Sequence, residues 1–342
     1  MHRRIAELPV MNRLLLVLSL SISFSTGLCM TPNCSELPIQ LEIYYLSVMY
    51  GVEFILGFLG NLIVILGYLL WMRKWRSINV YLFNLAASDL VFLCTLPYLS
   101  YTYAWKQGEV LPYMCVINRF ILHINLYSSI LFMIWVSLDR YLLLQNPLRQ
   151  HILLKYKTAV WISAVSWLFV TIQVTPLMIF ILADLKINNW THCSDFGSLS
   201  GHETTAHLAY SLVLTLTGYI IPLLAICFFT IGITRLLKTQ EGVFSQRSVS
   251  FHRPRCVALM AFLMFLVLYS PYHLMRNVYI SSELTGLDSS THSCIKSLYI
   301  LSRPVAFTHS VINPVFYFLM GDKFKELLLN GIRGLCPTHC RL

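Results

Sequence analysis

Apolar residues run through this chain in seven long stretches, each closed off by a short polar segment. The stretches lie near residues 43–72, 79–106, 112–145, 155–182, 206–238, 252–284 and 292–319. Each exceeds the roughly 20 residues that a helix needs to cross a bilayer. A helix apolar on all sides has no water-facing stripe and belongs in a core or in lipid. The pattern predicts an all-α membrane protein, a bundle of seven transmembrane helices over residues 43–319. Residues 1–42 form an outer N-terminal tail. Residues 320–342 form an inner tail, whose stretch Asp322–Ile332 predicts a short amphipathic helix on the cytoplasmic surface. No internal repeat or low-complexity tract appears, and the loops are too short to hold a second domain.

Composition sharpens this. Of 342 residues, 57% are hydrophobic and 12% charged, about half the charged fraction of a soluble domain. The net charge of +10 raises the question of nucleic acid, and its distribution answers against it. Arg73, Lys74 and Arg76 follow the first span; Arg149, Lys155 and Lys157 lie between the third and fourth. Arg235, Lys238, Arg247, Arg253 and Arg255 lie between the fifth and sixth, and Lys323, Lys325 and Arg333 follow the seventh. The opposite loops mix signs, as in Lys106 with Glu109, Asp184 with Lys186, Asp195 with Glu203, and Glu283 and Asp288 with Lys296. Basic loops stay in the cytoplasm. The N-terminus is therefore expected outside and the C-terminus inside, which needs an odd number of spans. A multi-pass protein of the plasma membrane follows.

The tail begins with Arg3, Arg4 and Arg13, then the apolar run Leu14–Phe24 and small residues. Residues 1–28 thus look like a cleavable signal peptide, against an uncleaved stub or a start at Met11. Asn33 and Asn189 head glycosylation sequons on the expected outer side, with Trp190 lowering occupancy of the second. Of ten cysteines, Cys94, Cys227 and Cys256 read as small apolar packing. Cys34, Cys115, Cys193 and Cys294 lie where disulfides form, and four cysteines allow three pairings. Cys115–Cys193 with Cys34–Cys294 would pin the second outer loop over the bundle and the tail to the last helix. Cys336 and Cys340 follow the amphipathic stretch and suit palmitoylation, the plainer alternative being two surface thiols.

Ionisable groups at membrane depth are costly and draw attention to function. Asp89 lies in the middle of the second span, with Asn61 in the first, Asn125 and Ser129 in the third, and Asn313-Pro314 in the seventh. Such a ring makes a sodium site, a hydrogen-bonded switch or merely polar glue between helices. Asp139-Arg140-Tyr141 closes the third span, and Pro271 frees a carbonyl and kinks the sixth. These landmarks, together with Gly60-Asn61, Leu85-Ala86-Ala87-Ser88-Asp89, Cys115, Trp167, Pro222 and Asn313-Pro314-Val315-Phe316-Tyr317, resemble the rhodopsin-like G-protein-coupled receptors along the whole membrane region. The resemblance implies a receptor rather than an enzyme, a sodium ion linked to Asp89, Asn125 and Ser129, and no other cofactor. It implies that Asp139 restrains Arg140 until the sixth helix swings outward, with Tyr141, Tyr269, Pro271, Asn313, Pro314 and Tyr317 forming the switch. Two departures stand out: Tyr269 replaces the usual aromatic-switch tryptophan, and Thr230 stands where a tyrosine is usual. The second puts the usual Arg140–tyrosine contact of the active state in doubt.

Helix arithmetic places three further arginines in the outer third of the bundle. Arg119 is one turn, about 6 Å, inward of Cys115, and His123 shares its face at i+4. Arg276 is five residues outward of Pro271, with His273 three residues before it, and Arg303 is eleven residues outward of Pro314. Singly, each reads as snorkelling to headgroups or pairing with a loop acid. Three on different helices, with Asp195 and more weakly Glu42 as neutralising acids, leave positive charge that needs an anion. Guanidiniums match carboxylate or phosphate forks, and Tyr50 and Tyr103 add hydroxyls. The pocket predicts a small anionic ligand carrying two charges. His123 and His273 read as packed polar core.

Segments including Tyr81-Leu82-Phe83-Asn84-Leu85, Asn125-Leu126-Tyr127 and Pro271–Val278 resemble one branch of that receptor family, the succinate receptors, more than the 2-oxoglutarate or nucleotide receptors. That likeness implies a succinate-like dicarboxylate bound by Arg119, His123, Arg276 and Arg303, with Tyr50 and Tyr103 assisting and Asp195 holding Arg303. It implies an inhibitory-class heterotrimeric G protein, and arrestin as a further cytoplasmic partner. Rival readings are a receptor for 2-oxoglutarate or a nucleotide, and a dicarboxylate transporter. No nucleophile–base pair or metal-ligand cluster appears, the inner part of the seventh span has no lysine for a Schiff base, Lys296 being at its outer mouth, and the pseudo-repeats of transporters are missing.

Overall fold

A computed structural model describes residues 36–105, 112–145, 151–190, 194–199, 204–243 and 252–320. The expected signal peptide, Asn33, Cys34, Cys193, the amphipathic stretch, Cys336 and Cys340 lie outside them. Seven helical rods run in sequence: α1 (Leu37–Trp71), α2 (Ser77–Ala104), α3 (Pro112–Gln145), α4 (Tyr156–Ile187), α5 (Thr204–Thr239), α6 (Arg255–Thr285) and α7, which consists of Ser289–Phe307 and His309–Met320. The first six are long and apolar enough to cross a membrane, and α7 is interrupted at Thr308. There is no strand among the described residues.

The exterior of the bundle is its apolar side. On α1, Val48, Val52, Ile55, Leu59, Ile63, Leu66 and Leu70 recur every three or four residues and are all exposed. The opposite face buries Tyr50, Glu53, Gly57, Asn61, Val64 and Tyr68. This is a helical stripe turned inside out, as lipid demands: apolar side chains outward, polar ones paired inside. In α3, 67% of the apolar window is buried, against 28% in α1, α4 and α5, so α3 is the central rod. It packs on α2, α4 and α5, while α7 closes the ring against α1.

Prolines set the bends, and side chains take up what they release. Pro314 has no N–H for the Ser310 carbonyl one turn back. Asn61 Nδ2 donates to that carbonyl at 2.8 Å, linking α1 to α7. Pro97 likewise leaves Leu93 without its usual donor. The chain tightens there, with the Thr95 amide and hydroxyl both donating to the Phe92 carbonyl at 2.9 and 2.7 Å. Ahead of Pro271 the α6 backbone widens into a π turn, Phe265–Tyr269. At the α7 break, the Thr308 hydroxyl bonds the Pro304 carbonyl at 3.0 Å and Glu53 Oε1 at 3.2 Å.

Several expectations need correction. The first rod starts at Leu37, so Leu37–Glu42 belong to the bundle and not to the tail. The fourth runs to Ile187, and Asp184 and Lys186 sit in its last turns rather than in a loop, Asp184 being buried. Glu42 pairs with Lys296 at 3.8 Å and, among the described residues, with no arginine. The start of α1 packs on the start of α7, and the cation Glu42 meets there is a lysine. Glu283 meets His292 at 3.0 Å, and Asp288 caps α7 by accepting from the Thr291 amide at 3.0 Å.

Candidate functional site

The three outer arginines are all buried, but they do not meet at one point. Arg119 and Arg303 share a hydroxyl: Tyr103 accepts from Arg119 Nη2 at 3.1 Å and from Arg303 Nη2 at 2.8 Å. Arg119 Nε also donates to the Ser194 carbonyl at 3.2 Å. Arg303 Nη1 is ion-paired to Asp195 Oδ2, and its guanidinium lies over the Tyr103 and Tyr299 rings. Asp195 Oδ1 accepts the Ser198 amide at 2.9 Å, which closes the turn Phe196–Ser198. Burial would raise the Asp195 carboxyl, but Arg303 and then Arg119 outweigh it and hold it below the usual carboxylate range.

Arg276 stands apart. Its Nη1 donates to the Tyr127 hydroxyl at 2.8 Å, Nε to Ser211 Oγ at 3.1 Å, and Nη2 to the Ser211 carbonyl at 3.2 Å and Thr215 Oγ1 at 2.9 Å. Phe196 of the second outer loop covers it, 4.7 Å from ring centre to guanidinium, with Tyr272 at 5.4 Å. Tyr127 is eight residues, about 12 Å, inward of Arg119 along α3. The expectation of one common depth therefore holds for two arginines and fails for the third. The cause is helix direction. Side chains lean toward the N-terminus of their helix. α3 and α7 run inward, so Arg119 and Arg303 lean outward. α6 runs outward, so Arg276 leans in.

His123 bridges these halves, with Nδ1 donating to the Arg119 carbonyl at 2.8 Å and Nε2 3.3 Å from the Tyr272 hydroxyl. Its ring stands edge-on to Phe196. His273 stacks on Tyr219 with ring centres 4.8 Å apart, and both of its nitrogens are without partners among the described residues. The Tyr50 hydroxyl, beside Tyr103, is likewise buried and unpartnered among those residues. Charge is not balanced: Asp195 pairs with Arg303 beside Arg119, and Arg276 is held by neutral oxygens and rings alone among the described residues. Buried charge without an opposite is costly. An anion with two carboxylates offsets that surplus.

Other residues complete the site without any sequence signal that singled them out. Ser211 and Thr215 lie at i and i+4 on α5, yet resemble the many small polar residues of that span. Phe196 and Gly197 sit in a loop, where periodicity says nothing. Gly197 donates its amide to the Tyr299 hydroxyl at 3.1 Å, and a Cβ there would stand 2.6 Å from the Tyr299 ring. Gly218 does the same for Tyr127, whose ring fills the space of any added Cβ. Glu53, buried with one oxygen unpartnered among the described residues, is an interior acid one turn inward of Tyr50, and here the sequence did hold a signal, a carboxylate at membrane depth.

Deeper in the bundle, Asp89 gathers the polar ring. Its Oδ1 accepts from Asn125 Nδ2 at 2.9 Å, Ser129 Oγ at 3.3 Å and Ser310 Oγ at 2.8 Å, and its Oδ2 from Asn313 Nδ2 at 2.6 Å. At the inner end, Arg140 Nε stands 4.0 Å from Asp139 Oδ2, and Ser77 donates to Asp139 Oδ1. Tyr141 packs on Phe228 and Phe229 of α5. Tyr269 lies against Phe265 and His309. Thr230 donates to the Ala258 carbonyl at 3.3 Å, tying α5 to α6. Tyr317 is on α7, its side chain outside the described residues. Cys115 and Cys294 are both disulfide-bonded; Asn189 follows α4 with a left-handed backbone, φ 50°.

Comparison with known proteins agrees with this architecture. The profile of the 7 transmembrane receptor (rhodopsin family) matches residues 60–317. Succinate receptor 1 of Rattus norvegicus is 48% identical over 301 residues, covering 86% of this chain and 92% of the relative. Succinate receptor 1 of Mus musculus is 44% identical over 294 residues, with the same coverage. The 2-oxoglutarate receptor 1 of Rattus norvegicus is 32% identical over 305 residues, 88% of each chain. These are receptors and not enzymes, and such receptors pair a small-molecule ligand with a G protein. The chain belongs to the rhodopsin family of seven-transmembrane receptors and is a multi-pass membrane protein.

Proposed function

We propose that this receptor is activated by a short dicarboxylate, succinate first, bound in the outer arginine pocket, and that it signals through an inhibitory-class G protein. The observation that carries the reading is the pair of cationic sites, Arg119–Tyr103–Arg303 on one side and Arg276 on the other, with one carboxylate among the described residues, Asp195, paired to Arg303. One ligand carboxylate joins Arg119 and Arg303 near the unpartnered Tyr50 hydroxyl. The other reaches Arg276 once Phe196 moves aside. The name borne by relatives at 48% and 44% identity supports succinate over larger anions. A nucleotide needs a stacking surface and room, and the rings here are packed against one another. Basic inner loops support an N-terminus outside the cell. By the same reading Cys115–Cys193 and Cys34–Cys294 are the disulfides, Asn33 and Asn189 carry glycans, and Cys336 and Cys340 carry palmitate.

The test is a cell-surface signalling assay reading cAMP and calcium with succinate, 2-oxoglutarate and a nucleotide panel. A fall in stimulated cAMP with succinate, blocked by pertussis toxin, is the expected result. A response to another anion alone moves the ligand, and a pertussis-insensitive response moves the G protein.

A further inference from the structure

The family resemblance implies a sodium ion at Asp89, and the residues around Asp89 do not fit one. A hard cation takes oxygen lone pairs as ligands. Here four donors from α3 and α7 already point at the carboxylate: Asn125, Ser129, Ser310 and Asn313, at 2.6 to 3.3 Å. The remaining side of Oδ1 faces a ring. His309 Nε2 stands 3.6 Å from Asp89 Oδ1 and 3.3 Å from Ser310 Oγ. The imidazole is fixed from its other edge, where Nδ1 lies 2.6 Å from the Ala306 carbonyl. A carbonyl only accepts, so Nδ1 carries the hydrogen and Nε2 is the nitrogen turned to Asp89. Tyr269 packs on the ring at 5.3 Å between centres, and both His309 and Asp89 are fully buried.

We propose that the Asp89 cage of this receptor does not take sodium, because the His309 ring fills the cation's place and leaves a self-contained hydrogen-bond switch joining α2, α3 and α7. The space is filled whichever protonation state the imidazole holds. The α7 break supplies the geometry: residues 304–308 close on their own carbonyls, and His309 opens the next helical segment pointing into the cage.

The experiment uses purified full-length receptor without agonist, so it stands or falls independently of the ligand reading. Melting temperature is compared in sodium chloride and in choline chloride at matched ionic strength. Wild-type curves superimpose. His309→Asn opens the cage, and sodium raises its melting temperature by roughly 3 °C at a tenfold excess over the dissociation constant. Adding Asp89→Asn to that variant removes the gain. A sodium-dependent rise in wild type that Asp89→Asn abolishes overturns the proposal, and so does a His309→Asn variant that gains nothing. Should His309→Asn fail to fold, the wild-type curves decide: superposition supports the proposal, and an Asp89-dependent rise defeats it.

Discussion

Two regions of the outer pocket meet the same difficulty, a guanidinium in a dry interior, and resolve it differently. Arg303 takes a charge from the chain itself, Asp195, and shares the Tyr103 hydroxyl with Arg119. Among the described residues Arg276 has only neutral partners, Tyr127, Ser211 and Thr215, under the Phe196 ring. The first region is an ion pair already made, so a ligand carboxylate must compete with Asp195 or join it. The second is a cation still lacking its anion. The difference teaches that the two regions are unequal: on the proposed function, a dianion gains most from Arg276, while Asp195 sets how readily the other end is given up.

The largest effect expected is from removing either guanidinium. Arg276→Ala or Arg303→Ala should abolish the agonist response with surface expression retained, a loss of about 2–5 kcal/mol of binding; dose–response curves alongside surface immunostaining check it. Asp195→Asn should sharpen the comparison by acting in opposite directions. Potency rises as Arg303 is freed, while thermal stability of the ligand-free receptor falls, because a buried arginine loses its partner. The pH dependence follows from the depressed Asp195 carboxyl. A carboxylate lowered in the folded state contributes stability above its unfolded value of about 3.9 and loses it as pH falls through the folded value. The Asp195–Arg303 pair therefore adds no slope to stability between pH 5 and 8, and a melting-temperature series over that range in wild type and Asp195→Asn should give parallel lines.

Arg119→Lys is expected to weaken potency by roughly tenfold, since an ammonium cannot both reach Tyr103 and keep the Ser194 carbonyl. Full potency would place Arg119 outside the ligand's reach. The smallest effect is at Thr230→Val, which removes the α5–α6 bond to Ala258 while keeping shape. Basal signalling should rise by about twofold, a fraction of one hydrogen bond, in an agonist-free reporter assay.

Much of this was legible because lipid imposes a simple rule. Spans announced themselves by length, and interior polar residues such as Asp89 and Asn61 by their cost. Asn61 and Pro314 were both marked by the sequence, and Asn61 donates to the Ser310 carbonyl that Pro314 releases. Counting residues along α3 and α7 put Arg119 and Arg303 at a similar depth, and the two share the Tyr103 hydroxyl. What counting missed is direction. Arg276 is at the expected height on α6, yet its side chain leans inward with the helix sense and finds α5. Loop residues gave no periodic signal, so Phe196 was invisible. Glu42 was misread because the packing of α1 on the start of α7, which the sequence does not show, decides which cation it meets. His309 looked like any polar residue near Asn313, since only the break at Thr308 turns it toward Asp89.

The central claim is that a dianion supplies the charge Arg276 lacks. Binding of radiolabelled succinate to purified receptor tests it most directly, with wild type and Arg276→Ala measured side by side. Saturable binding in wild type that disappears in Arg276→Ala is the result this account predicts. Equal binding by both would show that the anion sits elsewhere and would contradict it.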